Sequence, residues 1–234
     1  MTRRARKKRG SGFALKALLL LLSFLLLPFT GSLVLNFGGI FSRYRSFTLE
    51  MLLSSCGFGF FILLFALFGP PVRGYVLQHE LSHVLFCAVS GVRVKRISVR
   101  AEQGSVETER VNILIALAPF AFPLYSVLLI LFNALLAPFT KETVRSLVFH
   151  PLFGFSLAYH LLATLHYLQI DQPDLKRYGV LSSLIFIFTL TVVVLAMLLG
   201  AVFARTELLA YFESSAAQAA RIYARLFRVP SGIV

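Results

Sequence analysis

The chain has 234 residues, of which 58% are hydrophobic and only 14% charged, and its mean hydropathy is +0.81. Soluble domains carry about 45–50% apolar and about 25% charged residues, so this composition argues against a soluble domain and for a polytopic helical membrane protein with one embedded core, its apolar runs of about 20 residues each being long enough to span a bilayer. The net charge of +13 does not mark a nucleic-acid-binding face. The basic residues lie in the N-terminal tail, in 93–100 and near the C-terminus, at the flanks of apolar runs, where the positive-inside rule expects them. The lipid bilayer is therefore the expected partner, and no nucleic acid is.

Residues 1–10 hold six basic residues and no acid, a run expected to be disordered and to keep the N-terminus on the cytoplasmic side. Residues 13–30 form a Leu-rich run, read as an uncleaved transmembrane helix because Pro28 to Ser32 makes a poor signal-peptidase site. A Gly-containing connection with Arg43 and Arg45 leads to a second run over 47–69, closed by Gly69-Pro70-Pro71. Residues 72–90 are predicted to form a helix that stops at Gly91. In 92–109, apolar and polar residues alternate with a slip of phase at Lys95-Arg96, Gln103-Gly104 offers a turn, and a β-hairpin is predicted.

A third apolar run over 111–138 is broken by Pro119, Pro123 and Pro138, and Asn112 near its start reads as a local cap. A polar loop over 139–146 precedes the next span, 147–169, which carries His150, His160 and His166. Residues 170–179 read as a charged loop containing Asp171 and Asp174. The last span covers 179–203. Beyond it, Leu208, Leu209, Phe212, Ala216, Ala220, Tyr223, Leu226 and Phe227 fall near one helix face, with Arg221, Arg225 and Arg228 giving a basic end suited to a membrane surface. The expected fold class is an all-α polytopic membrane protein of about five to six transmembrane helices with a small β-hairpin. It divides into a basic tail (1–12), an embedded core (13–203, hairpin 92–109) and an amphipathic C-terminal helix and tail (204–234).

The chemistry concentrates in His79-Glu80-Leu81-Ser82-His83. Residues four apart share a helix face, so both imidazoles can bind one metal ion. Glu80 lies about 100° round the helix, placed to act as general base on a metal-bound water rather than as a ligand. Polar side chains in an apolar helix are expensive in lipid and mark a functional site by default. Catalytic zinc usually takes three protein ligands. The candidates for the third are Asp174, Asp171, His160 and His166. Cys87 is rejected because it lies eight residues, about 12 Å, along the helix from His79; it and Cys56 read as buried free thiols.

The run HELSHVLFCAVSGVRV followed by a hairpin resembles the intramembrane zinc metalloproteases of the site-2 protease family. That family pairs His-Glu-x-x-His in one transmembrane helix with an aspartate about two helices later, commonly in Asn-Pro-Asp-Gly or Leu-Asp-Gly. Gln172-Pro173-Asp174-Leu175 looks like a variant of the second motif, with Gln for Asn and Leu for Gly. The likeness covers roughly residues 72–178. It implies zinc held by His79, His83 and Asp174, with Glu80 as catalytic base, a membrane-protein or peptide substrate aligned on the hairpin by strand addition, and residence in a bacterial inner membrane. Two other classes stay in view. A non-catalytic membrane scaffold of the same fold would keep its function in Glu80→Gln, whereas a metal-handling transporter would use His160 or His166 as ion-path residues.

Overall fold

Thr48 opens the first helix of the central stretch: its hydroxyl accepts the N–H of Met51, and helix α2 runs Leu49–Phe68. Gly69, with φ of 78°, ends it. Helix α3 (Val72–Val89) follows Pro70-Pro71 and stops at Gly91, φ 61°, as the sequence predicts. This computed structural model describes residues 3–41, 48–100, 104–170, 172–204 and 206–227, with side chains from residue 13 onward. The remaining elements are α1 (Arg3–Leu35) with a 3-10 turn at Phe37–Phe41, β1 (Val94–Val99), β2 (Gly104–Thr108), α4 (Ile113–Ala121), α5 (Leu124–Leu136), α6 (Glu142–Leu168), α7 (Pro173–Tyr178), α8 (Val180–Phe203) and α9 (Leu208–Leu226).

Among the described residues four segments are long and apolar enough to cross a membrane: Phe13–Phe41, Leu49–Phe68, Glu142–Leu168 and Val180–Phe203. A fifth exists if α4 and α5, bent by 74° at their junction, form one broken span. The sequence-based count of about five to six is met at its lower value when α4 and α5 count as one span, and a sixth is not found among the described residues. The difference is α3, which Arg73, Gln78, His79, Glu80 and His83 make too polar. Exposed Leu52, Phe60, Ile62, Leu63, Leu67 and Phe68 on α2 form the kind of apolar surface that water-soluble monomers rarely present.

The chain divides into two compact units, Tyr44–Asp171 and the pair of stretches Met1–Arg43 and Gln172–Val234. In the first, α2 packs along α6 through small residues. A Cβ on Gly57 would overlap the backbone of Pro151, and one on Gly154 would overlap the backbone of Ser54. Beyond that crossing, Phe61 meets Phe155 and Tyr159 edge-on at 5.0 and 5.4 Å. Helix α5 joins α6 through the buried Ser126–Ser156 hydroxyl pair, 2.9 Å. The hairpin is antiparallel, with an irregularity between Val94 and Arg96 where the sequence slips phase. Gly104 is a strand residue paired with Val99 rather than part of a Gln103-Gly104 turn; Gln103 lies outside the described residues. Cys87, Val92 and Ile115 form a buried cluster that pins the hairpin base to α3 and α4.

In the other unit, α1 packs on α8 and α9. Thr30 and Thr189 share a buried hydroxyl contact of 2.7 Å. Tyr211 donates to the Leu33 carbonyl, 3.0 Å, Tyr223 to that of Leu25, and Asn36 to Gln218, 2.6 Å. Burial pushes the Tyr211 phenol up to about 12.

Several expectations are corrected. Helix α1 already begins at Arg3 rather than after a disordered tail. Helix α6 begins at Glu142, not 147, because Arg145 reaches back to the side chain and carbonyl of Asn133 at 3.4 and 3.5 Å and so keeps its charge satisfied within a helix. Residues 173–178 are helical with Leu175 and Tyr178 buried, where a solvated loop is expected. The apolar stripe expected on α9 stands uncorrected, with Leu209, Leu226 and Phe227 exposed, while a separate line of Tyr211, Ser215 and Ala219 is buried. Cys56 is exposed and only Cys87 is buried. Arg43, Arg45 and Arg228 lie outside the described residues.

The α2–α6 crossing gives a stability prediction. Gly57→Ala and Gly154→Ala should each destabilise the protein by about 1–3 kcal/mol through overpacking. Gly59→Ala, with open space where its Cβ would go, should be neutral or slightly stabilising. Heat-unfolding midpoints in detergent check all three.

Candidate metal and catalytic site

The α3 register puts Tyr75, Gln78 and Ser82 in the interior with Glu80, which is 6% exposed, while His79 and His83 are half-buried. Nε2 of His79 and Nε2 of His83 stand 3.2 Å apart, with the rings nearly perpendicular at 83°. Two nitrogens bound tetrahedrally to one zinc at about 2.0–2.1 Å are about 3.3 Å apart, so the pair fits a shared ion. Phe120 meets the His79 ring edge-on at 4.9 Å and limits its rotation.

The orientation of His83 has a specific cause. Its Nδ1 donates to the carbonyl of Ile115 at 2.8 Å, which fixes the tautomer and leaves the Nε2 lone pair for a metal. In a helix the carbonyl of residue 115 would accept from the N–H of residue 119. That residue is Pro119, inside α4, which has no N–H. The proline thus frees the acceptor that holds His83. Asn112 sets the start of the same helix: its Oδ1 accepts from Ile115 N–H at 2.7 Å, the capping role the sequence suggests.

The third-ligand candidates separate. Among the described residues neither His160 nor His166 joins His79 and His83. His160, 1% exposed, has its Nδ1 2.7 Å from Nε2 of Gln78, itself fully buried. The amide is the donor, so Nδ1 of His160 is engaged by Gln78, while its Nε2 is buried without a hydrogen-bond partner among the described residues. His166 packs edge-on against Phe65 and Tyr167. Asp171 lies outside the described residues. Asp174 belongs to the other unit, half-buried in the first turn of α7. Glu80 has the backbone of Gly104 against its side chain, so the hairpin lies directly over the expected base.

Sequence reasoning does not single out Gln78, Pro119, the Ile115 carbonyl or Gly104 as parts of the site. A proline four residues after Ile115 is the one signal that could have found the His83 acceptor. The carbonyl's role generates a test. Pro119→Ala restores an N–H that competes for Ile115, so His83 should lose its fixed tautomer and the affinity for zinc should fall about 10–100-fold, measured by competition with a chelator. Comparison with models of known protein families, with curated proteins and with solved structures returns no match.

Proposed function

We propose that the chain is an intramembrane zinc metalloendopeptidase that hydrolyses a peptide bond in a membrane-protein substrate. The observation that carries the reading is the convergence of the His79 and His83 Nε2 atoms at 3.2 Å, with His83 held in the metal-binding tautomer by Ile115. Asp174 is assigned as the third ligand on the motif resemblance, its carboxylate giving an oxygen donor alongside two imidazoles, as in hydrolytic zinc enzymes whose sites combine two histidines with one carboxylate.

A zinc ion bound by this set would supply a water of lowered pKa and polarise the scissile carbonyl. Glu80, adjacent to His79 and buried, takes a proton from the attacking water and returns it to the leaving amine. Glu80 is only 6% exposed and the backbone of Gly104 lies against its side chain, so bulk water has little access to the carboxylate. The substrate strand must reach the site unwound, because a helical peptide bond is shielded by its own hydrogen bonding. A metal-conducting role draws less support, since neither His160 nor His166 joins His79 and His83 among the described residues.

Metal analysis of detergent-purified protein should give about one zinc per chain, lost in His79→Ala and strongly reduced in Asp174→Ala. Glu80→Gln should keep the zinc and lose at least about 100-fold in cleavage of a co-reconstituted library of tagged single-span membrane segments. A wild type that is folded and zinc-supplied but binds none would overturn the proposal.

A further inference from the structure

Gly104 is a glycine that its own backbone does not demand. It is a strand residue paired with Val99, and its φ is outside the left-handed range in which glycine is favoured. What excludes a side chain there is Glu80: the three atoms nearest to a Cβ on residue 104 are Cγ, Cδ and Oε1 of Glu80, with Cδ at 2.7 Å. Gly104 is exposed while Glu80 is buried, so the hairpin backbone closes the outer side of the pocket that holds the carboxylate arm. The hairpin backbone is held where it meets α3, because Gly104 is paired with Val99 and both strands pack on α3, while the base is fixed by the buried cluster of Cys87, Val92 and Ile115.

We propose that Gly104 is a positioning residue: the bare backbone at the start of β2 is the wall against which the Glu80 side chain is held, so that the hairpin sets where the base stands. This rests on the peptidase reading. A methyl group at 104 displaces the carboxylate rather than the strand, because the arm of Glu80 can rotate and the anchored backbone cannot. Displacing a base by about 1 Å is enough to cost about 100-fold in rate. Substrate binding is not expected to change, since the alanine leaves strand pairing and the edge of β1 intact.

Two measurements test this. The first needs no activity: heat-unfolding midpoints of wild type, Gly104→Ala, Glu80→Ala and the double variant. The alanine at 104 should lower the midpoint in the wild-type background and leave it unchanged where Glu80 has been cut back, since residues in contact are non-additive. Additive shifts would overturn the contact. The second uses the best-cut segment of the membrane library. Gly104→Ala should lower kcat about 10–100-fold with KM and zinc per chain unchanged, while Ser105→Ala on the same strand leaves all three at wild-type values. A wild-type kcat in Gly104→Ala, or loss of its zinc, would overturn the positioning role. Absence of cleavage by the wild type would instead overturn the peptidase reading and the catalytic role with it, and a non-additive stability cycle would then identify a packing contact alone.

Discussion

A carbonyl without its helical donor organises the site. Ile115 cannot give its oxygen to residue 119, because residue 119 is proline, and the oxygen goes to His83 instead. Two costs offset each other. The proline would leave a buried acceptor unpaired, and the histidine would otherwise choose between tautomers. Because α4 is buried over Ile115–Ala121, water has little access to either group, and the direct bond is worth more than it would be at a surface.

The rotation of α3 about its axis is fixed at three places along its length. Gly74 offers its carbonyl to the Tyr125 hydroxyl at 3.1 Å, Gln78 gives its amide to His160, and His83 reaches Ile115. Each anchor sits on a different neighbour: α5, α6 and α4. Helix α6 can serve because α2 grips it through Gly57 and Gly154 at backbone contact, which leaves no room for sliding. Tyr75, stacked on Tyr167 at 4.1 Å, adds a flat contact on the face shared with Gln78. A polar helix in apolar surroundings is thereby held by directional bonds, where non-directional packing would leave its register loose.

What the sequence made legible is local or periodic. The long apolar runs, the end of α3 at Gly91, the cap at Asn112 and the strand irregularity at Lys95-Arg96 all follow from neighbours in the chain. The pairing of His79 with His83 follows from helical spacing. What it hid depends on residues far apart. Gln78 and His160 are 82 positions apart, so nothing near either one reveals that the histidine is already engaged. The start of α6 was hidden because Arg145 reads as a loop residue until Asn133 is seen to accept its guanidinium N–H through both side chain and backbone. The buried face of α9 was hidden because hydroxyls of Tyr211 and Tyr223, not its leucines, make the contact with α1. Amphipathic pattern alone weighs side-chain apolarity and misses partners of that kind.

The unit formed by the two ends of the chain has a consequence for the order of synthesis. Helix α1 leaves the ribosome early, yet its partners α8 and α9 follow only after the whole of Tyr44–Asp171 has been made, a delay on the order of ten seconds at ordinary elongation rates. During that interval its polar side chains have no long-range partner. Ser23, Thr30 and Ser32 each donate to a carbonyl of α1 itself, those of Leu20, Leu26 and Pro28. The helix therefore carries its own provisional satisfaction for these hydroxyls and can wait in an apolar medium. When Thr189 arrives, one of the two threonines turns its single hydroxyl proton from its own helix carbonyl, Leu26 for Thr30 or Ile185 for Thr189, to the other's oxygen, so the late docking step exchanges one bond within a helix for one between helices.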